Sequence, residues 1–275
     1  MAQRCDDVVG IARSWIAANW NTKTASISAA VVTSGLAVVG LYWYLMKSDR
    51  ARRVEAEALI PVVVEYDRRM ATRKRQLFDE LVSLKRVGAD GRLVILEIGS
   101  GCGTNLASYP VGSDVICVEP NEHLKAALYD SARQHPGVKI SAYHVTSAEK
   151  VPDVESASVD AVVSTAVLCS VGDPDQCLRE IARILKPGGK FFFMEHVKAP
   201  PQFYVVRFVQ VLFDFVWSIM SGGCHLARST KENIRKAGFR SVKLEELEAH
   251  ELVQPTKLMY AVRLVRSHIS GTATK

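Results

Sequence analysis

Short apolar runs alternate with polar stretches of helical length along the chain after residue 90. The apolar runs that have strand length are Leu93–Ile98, Asp114–Glu119, Lys139–His144, Val159–Ser164, Lys190–Glu195, Val242–Leu244 and Met259–Leu264. Helical stretches separate the first five runs, and this alternation predicts an α/β domain with a doubly wound, Rossmann-like, seven-stranded and mostly parallel sheet. Ligands of such sheets bind beyond the carboxyl ends of the strands, so we expect the site residues at these ends.

A long apolar run precedes this domain. No charged residue occurs between Lys23 and Lys47, and about 20 helical residues are enough to cross the roughly 30 Å of bilayer hydrocarbon. We therefore predict an N-terminal segment over residues 1–24 and a transmembrane helix over residues 25–46. A cleaved signal peptide and a buried soluble helix are the alternatives, but the run ends in Tyr42-Trp-Tyr-Leu-Met46, which is typical of an interfacial aromatic belt.

Basic residues follow the apolar run more densely than they precede it. Lys47, Arg50, Arg52 and Arg53 lie directly after it. The positive-inside bias then predicts a single-pass protein whose main domain faces the cytosol, and the same cluster suits contact with anionic lipid headgroups. A solvated start of a helix is the alternative interpretation of this cluster.

The remaining chain divides into three parts. Residues 47–90 are rich in Arg, Glu and Ala and predict linking helices that are broken once at Pro61. Residues 91–266 contain the alternating pattern and form the predicted α/β domain. Residues 267–275 are small and polar, so we expect a disordered tail.

Composition excludes some classes of function. The chain has 275 residues and a formal net charge of +6, but its basic residues are scattered and do not form a nucleic-acid signature. The six cysteines are Cys5, Cys102, Cys117, Cys169, Cys177 and Cys224. They form no C-x-x-C pair and have no zinc-finger spacing, so we expect reduced, mostly buried thiols and no metal site.

The first apolar run leads into an acidic residue and three alternating glycines, at Glu97, Gly99, Gly101 and Gly103. Glycines at this spacing allow a sharp turn and a close approach of the backbone to a ligand. The pattern is G-x-G-x-G and not the dinucleotide pattern G-x-G-x-x-G. It therefore favours S-adenosylmethionine over NAD or FAD.

Two further strand ends offer candidate cofactor contacts. Glu119 ends the second run, twenty positions after Gly99, where a carboxylate can accept hydrogen bonds from ribose hydroxyls. Ala148 and Glu149 follow the third run, where a carboxylate or a backbone amide can face the adenine. The alternative is a helix cap, in which Ser147 or Thr146 caps a short turn.

The motifs together resemble those of class I S-adenosylmethionine-dependent methyltransferases. They are Glu97-x-Gly-x-Gly-x-Gly103, Glu119-Pro-Asn121, Ser158-Val-Asp160 and Leu185-Lys-Pro-Gly-Gly189. Val167–Val171, Phe193–Val197 and Gly223–Arg228 further resemble the membrane-associated thiol S-methyltransferases. The resemblance implies the class I methyltransferase fold, S-adenosylmethionine as cofactor, and cofactor contacts at Glu97, the three glycines, Glu119 and Asn121. It also implies association with endoplasmic reticulum or lipid droplets.

A thiol acceptor needs a base that favours its thiolate, because the thiolate is the nucleophile. His196, at the end of the fifth run, is our candidate catalytic base, with Glu195 and His225 as weaker candidates. The alternative is a structural histidine that the backbone satisfies. Residues 203–220 predict an amphipathic lid, which either packs on the core or also touches the membrane and admits lipophilic acceptors.

Three functions fit these features. The first is methylation of a small lipophilic acceptor, preferably a thiol, at a membrane. The second is C- or O-methylation of a quinone or lipid precursor, which would suit a mitochondrial membrane. The third is a non-catalytic membrane or lipid-droplet protein that retains the fold, which the intact glycine motif argues against.

Overall fold

The computed structural model describes residues 48–84, 91–250 and 264–275. The predicted N-terminal segment at 1–24 and the predicted transmembrane helix at 25–46 lie outside the described residues. So do residues 259–263 of the predicted strand Met259–Leu264. From Glu55 onward, the described residues belong to one compact unit.

A single seven-stranded sheet organises this unit. The strands are β1 Leu93–Ile98, β2 Ser113–Val118, β3 Val138–His144, β4 Val159–Thr165, β5 Leu185–His196, β6 Ser241–Glu248 and β7 Ser267–Thr274. Their order is β3-β2-β1-β4-β5-β7-β6, and β7 runs antiparallel to both of its neighbours. The predicted doubly wound, mostly parallel sheet is confirmed.

The carboxyl ends of the central strands meet at one edge of the sheet. Ile98 of β1 pairs with Val118 of β2 on one side and with Ser164 of β4 on the other, and Thr165 pairs with Met194 of β5. Strand order reverses between β2 and β4, which makes this edge the topological switch point where ligands bind.

Five α-helices accompany the sheet within the described residues. They are α1 Asp49–Leu84, α2 Lys125–Gln134, α3 Pro174–Ile184, α4 Tyr204–Met220 and α5 Thr230–Lys236. The prediction of a break at Pro61 was wrong, because α1 continues through this residue. A proline removes one backbone hydrogen bond from a helix, but α1 is long and packs Met70, Phe78 and Leu81 against the core.

The sheet has an apolar layer on each face. On one face, α3 contributes Cys177, Leu178 and Ile181 to a cluster with Phe191 and Phe193 of β5. On the other face, Phe78 and Leu81 of α1 pack with strand residues such as Phe192. Successive residues of β5 therefore point into opposite layers, as the pleat requires.

The prediction of a disordered tail at 267–275 was wrong, because Ser267–Thr274 is β7. This strand lies between β5 and β6, so its small and polar residues are buried by its neighbours on both sides. Gly271 shows why a small residue is needed in this strand, because a Cβ at this position would lie 2.0 Å from the backbone oxygen of Lys243. The domain therefore extends beyond the predicted boundary at residue 266.

Candidate functional site

The predicted glycine loop follows β1 at the switch point. Gly99, Gly101 and Gly103 all have positive φ, at 59°, 50° and 78°, a conformation that L side chains rarely adopt. Added Cβ atoms would meet different surroundings. At Gly99 the Cβ would lie 2.5 Å from the Val167 side chain, whereas at Gly101 the nearest atom is a backbone oxygen 3.9 Å away. The Val167 side chain, in the turn after β4, thus packs against the loop at Gly99, whereas the loop is open at Gly101.

Glu119 lies directly beside this loop. Its Oε2 accepts a hydrogen bond from the Gly101 backbone N–H at 3.1 Å, and its Oε1 accepts one from the Asn121 N–H at 2.9 Å. The Asn121 side chain in turn accepts a hydrogen bond from the His123 N–H. The structure therefore brings three of the predicted cofactor residues together, and it places a buried carboxylate against the open glycine.

Glu97 is buried behind the loop, where its two oxygens hold the chain that follows. Oε1 accepts from Asn105 Nδ2 at 2.7 Å and Oε2 accepts from the Tyr109 hydroxyl at 2.8 Å. Burial raises the pKa of Glu97 to about 7, although both hydrogen bonds oppose this change. Glu97 therefore fixes the path of the chain after the third glycine.

The other predicted adenine contacts lie after β3. Ala148 is buried in the core. Glu149 Oε1 accepts hydrogen bonds from the Gly172 and Asp173 N–H groups, at 2.6 Å and 3.3 Å. The Glu149 side chain thus ties the chain after β3 to the start of α3.

Strain and a buried carboxylate define the turn after β4. Ala166 has a φ of +56°, which is costly for a residue with a Cβ. Glu195 of β5 stabilises the turn, because its Oε2 accepts from the N–H groups of Val167 and Leu168, both at 3.0 Å. Burial raises the pKa of Glu195 to about 7. With its oxygens engaged in this way, Glu195 positions the turn.

Three sulfur and nitrogen side chains meet beside this turn. Cys169, His196 and Cys224 each place a ligand-type atom within 4.8 Å of the other two, and Cys224 Sγ lies 3.7 Å from His196 Nδ1. The hydrogen bond between the two thiols, together with burial, raises the pKa of Cys169, and the same hydrogen bond lowers the pKa of Cys224. The predicted site residue His196 is thus buried against two cysteines whose task the sequence did not reveal.

The segment after α4 closes this side of the site. The His225 N–H donates to the Cys169 carbonyl at 2.9 Å, and Arg228 Nη2 donates to the Val171 carbonyl at 2.7 Å. His225 Nδ1 lies 2.8 Å from Asp214 Oδ2 on α4. Burial opposes ionisation of Asp214, but its hydrogen bonds with His225 and the Ala227 N–H lower its pKa. A half-exposed imidazole with a carboxylate behind it has the geometry of a general base.

Two aromatic side chains that the sequence did not single out also lie here. Tyr66 of α1 stacks on His268 of β7 with 5.8 Å between ring centroids, and His268 lies edge-on to His196 at 6.2 Å. Neither residue occurs in a motif, and each comes from a segment that was expected to be a linker or a tail. No local signal could have found them.

Helix α4, the predicted lid, turns its apolar face outward. The exposed apolar side chains are Tyr204, Val205, Phe208, Val211, Leu212, Phe213, Phe215, Val216 and Met220. The polar residue Gln210 is fully buried, where it accepts from the Ala199 N–H and donates to the Leu264 carbonyl. Among the described residues, one helical stretch, Pro201–Met220, is long and apolar enough to cross a membrane.

Comparison with known proteins places these features in a family. Residues 96–193 match the family model described as a methyltransferase domain. The chain is 38% identical to thiol S-methyltransferase TMT1A of Homo sapiens, over 74% of this chain and 84% of that protein. It is also 38% identical to thiol S-methyltransferase TMT1B of Rattus norvegicus, over 76% and 80% of the respective chains.

Solved structures agree on the fold. A candidate sarcosine dimethylglycine methyltransferase from Galdieria sulphuraria superposes with a TM-score of 0.53, at 14% identity, over 74% of this chain and 86% of that one. At this identity the likeness concerns the fold alone, and it agrees with the strand order described above.

Proposed function

This chain belongs to the class I S-adenosylmethionine-dependent methyltransferases, in the group of TMT1A and TMT1B, and we propose that it methylates the thiol of a small lipophilic acceptor at a membrane surface. The observation that carries the proposal is the 38% identity to a thiol S-methyltransferase over 84% of its length. The aligned 208 residues extend well beyond the matched domain, 96–193.

The glycine loop and its neighbours fit the cofactor. Gly101 leaves room where a side chain would fill the loop, and the buried Glu119 carboxylate lies beside it. Carboxylates accept several hydrogen bonds at once, so we propose that Glu119 accepts hydrogen bonds from the ribose hydroxyls. Asn121 contacts the same part of the cofactor. Glu97 and the three glycines surround the amino-acid end, and Ala148 and Glu149 lie on the adenine side. S-adenosylmethionine supplies a methyl group activated by its attachment to a positively charged sulfur.

The residues of the chain have two tasks in this reaction, which are alignment of the acceptor and removal of the thiol proton. Alignment supplies much of the acceleration in a displacement of this kind. We assign the proton to the His225 imidazole, which Asp214 orients at 2.8 Å. His196 remains a predicted site residue, but its contact with Cys224 suits a task other than removal of the thiol proton.

The orientation of α4 supports a membrane setting. A helix of a soluble protein turns its apolar stripe inward, whereas α4 buries Gln210 and exposes Phe208, Leu212 and Phe215. An apolar face of this size suits the boundary between lipid headgroups and acyl chains. We therefore propose that α4 lies in the membrane surface and that residues 25–46 anchor the chain, with the catalytic domain in the cytosol on endoplasmic reticulum or lipid droplets.

A matched set of acceptors tests the chemistry. The full chain in detergent is supplied with methyl-labelled S-adenosylmethionine and one of three compounds: an aromatic thiol, the phenol that differs from it by one atom, or a hydroquinone. We expect a labelled thioether from the thiol and no product above background from the phenol, since far less of the phenol is ionised at neutral pH. Preferred methylation of the phenol or hydroquinone would contradict the thiol proposal and favour the quinone alternative.

Liposome flotation tests the role of α4. A chain that lacks residues 1–46 is compared with the same chain carrying Phe208→Asp and Phe215→Asp, after thermal melting has established that both fold. We expect the first to float with anionic liposomes and the second to remain in solution. Val82→Asp, on exposed α1 surface, is the matched control and should float. Absence of flotation without residues 1–46 would restrict membrane contact to that segment.

A further inference from the structure

Cys169, His196 and Cys224 come from three parts of the chain that are far apart in sequence. Cys169 lies in the turn after β4, His196 is the last residue of β5, and Cys224 follows α4. Each lies in one of the three segments that the sequence analysis singled out, Val167–Val171, Phe193–Val197 and Gly223–Arg228. The proposed thiol methylation so far gives these three side chains no task.

One distance in the cluster matches that of a tetrahedral metal site, and the other two are close to it. Zinc binds thiolate sulfur at about 2.3 Å and imidazole nitrogen at about 2.0–2.1 Å with tetrahedral angles, which puts sulfur and nitrogen about 3.6 Å apart. Cys224 Sγ and His196 Nδ1 are 3.7 Å apart, and all three ligand atoms lie within 4.8 Å of one another. A small contraction of the cluster would therefore complete the site.

Backbone hydrogen bonds hold the ligand side chains in place, and outside the cluster the contacts of Cys169 Sγ are long, 3.6 Å to the Ala166 carbonyl and 3.6 Å to the Ser170 hydroxyl. Glu195 fixes the turn that presents Cys169, through the N–H groups of Val167 and Leu168. The Cys169 carbonyl accepts from the His225 N–H, next to Cys224. His196 is fixed by its pairing with His268 in the sheet. Such support from neighbouring groups is what orients the ligands of metal sites.

Within the described part of the chain, His196 is buried without the hydrogen-bond partners that a buried imidazole normally has. His196 is 4% exposed, and its Nε2 has no hydrogen-bond partner within residues 48–84, 91–250 and 264–275. Its polar contacts in the cluster are with two thiols, which are weak hydrogen-bonding groups. Cys224 is only partly buried, so the cluster is open on its side.

We propose that Cys169, Cys224 and His196 bind a zinc ion whose fourth position receives the sulfur of the acceptor thiol. Two thiolates and an imidazole are ligands that select zinc, and three protein ligands with one open position are typical of catalytic rather than structural zinc sites. The role of the fourth position rests on the proposed thiol methylation, whereas zinc binding itself does not.

The site lies where an acceptor has to be. Val167, two residues before Cys169, packs against Gly99 of the cofactor loop. On binding zinc, the acceptor thiol loses its proton, which passes through His225 to water. The acceptor sulfur then forms a bond to the methyl carbon while the bond from that carbon to the cofactor sulfur breaks, and both electrons of the broken bond stay on the cofactor sulfur. The products are a neutral thioether, which is a weak zinc ligand, and S-adenosylhomocysteine.

Metal content tests the site directly. The full chain without an affinity tag is dialysed against metal-free buffer that contains a reductant, and its zinc is measured by mass spectrometry. We expect about one zinc ion per chain, and a loss of at least about tenfold in zinc affinity for Cys169→Ser, Cys224→Ser and His196→Gln. Cys177→Ala, in the core of α3, is the matched control and should keep the zinc.

Cobalt substitution keeps the test valid if a variant folds poorly. Wild-type chain loaded with Co²⁺ should show a thiolate charge-transfer band and the intense visible bands of tetrahedral cobalt, and addition of the aromatic thiol should shift them. Less than about a tenth of an equivalent of zinc and no such spectrum would overturn the proposal. So would a Cys169–Cys224 disulfide in chain isolated under reducing conditions.

The outcomes separate this proposal from the proposed function. Thiol methylation by a chain that is isolated without zinc and takes up none would overturn the metal site and leave the function intact. Bound zinc with no methylation of any thiol would leave the metal site intact and contradict the function. A cobalt spectrum that does not respond to the thiol would contradict the role of the fourth position.

Discussion

The two halves of the site, at the ends of β1 and β2 and at the ends of β4 and β5, are built by different means. The first half consists of backbone: three glycines with positive φ and a carboxylate that accepts from backbone N–H groups. The second half consists of side chains from distant segments, namely Cys169, His196 and Cys224. We call the first half the cofactor half, because a cofactor needs a rigid binding loop. We call the second half the acceptor half, because side-chain chemistry selects the acceptor.

This difference decides what the sequence could predict. Glycine spacing and the acid at Glu119 are local features, so the cofactor half could be located from a few dozen residues. The cysteines have no zinc spacing, so reduced, mostly buried thiols and no metal site were expected, but the fold brings residues 169, 196 and 224 together without any regular spacing. The pairing of β4 with β5 and the hydrogen bonds that His225 and Arg228 donate to the turn after β4 bring the three residues together.

The fold also has parts that the sequence predicts and parts that it does not. Strands β1 to β5 were predictable because their apolar side chains fill the core. β7 was not, because Ser267–Thr274 is buried by its neighbours and carries Gly271 where β6 approaches closely. The continuity of α1 through Pro61 was also missed, since tertiary packing compensates for the lost hydrogen bond.

The largest expected effect tests the contact between the two halves. Gly99→Ala places a Cβ 2.5 Å from Val167 at a positive φ, so we expect it to lower the free energy of unfolding by about 4 kcal/mol in urea denaturation. Gly101→Ala is the matched control, because it has the same strain without the overlap, and it should lose only about 1 kcal/mol. Equal losses would mean that packing against Val167 does not constrain the loop.

The next effect concerns Glu97, behind the cofactor half. Its pKa is raised from 4.5 to about 7 in the folded chain, so between these values the folded state binds a proton that the unfolded state has lost. The free energy of unfolding should therefore fall by about 3 kcal/mol as the pH rises from 4.5 to 7 and then level off.

Urea denaturation of Glu97→Gln as a function of pH isolates this contribution. We expect the variant to lack that part of the pH dependence, while Glu245→Gln, at an exposed position of β6, keeps the wild-type profile. A Glu97→Gln profile that runs parallel to wild type from pH 4.5 to 7 would show that Glu97 is ionised throughout.

A smaller effect is expected at the ribose contact. Glu119→Ala removes the acceptor of the Gly101 N–H and the proposed acceptor of the ribose hydroxyls, at a cost of about 2 kcal/mol or roughly a 30-fold weaker affinity for S-adenosylmethionine. Isothermal titration measures it, with the exposed Glu122→Ala on the neighbouring turn as control. An unchanged dissociation constant in the folded variant would mean that the ribose is bound elsewhere.

The smallest effect concerns the acceptor half alone. Asp214→Asn keeps an oxygen for the Ala227 N–H but removes the charge behind His225, so the rate of thiol methylation should fall about tenfold with unchanged cofactor affinity. Asp153→Asn, whose carboxylate lies 3.6 Å from Nδ1 of His144 at the end of β3, is a matched carboxylate–histidine control. Equal rates for both variants would exclude His225 as the base.

The division of the site into two halves is tested most directly by titration of S-adenosylmethionine into the full chain carrying Cys169→Ser and Cys224→Ser. We expect a dissociation constant within about twofold of wild type, in a chain whose thiol methylation is lost. A cofactor affinity that falls together with the activity would contradict this division, because the cysteines would then belong to the cofactor half.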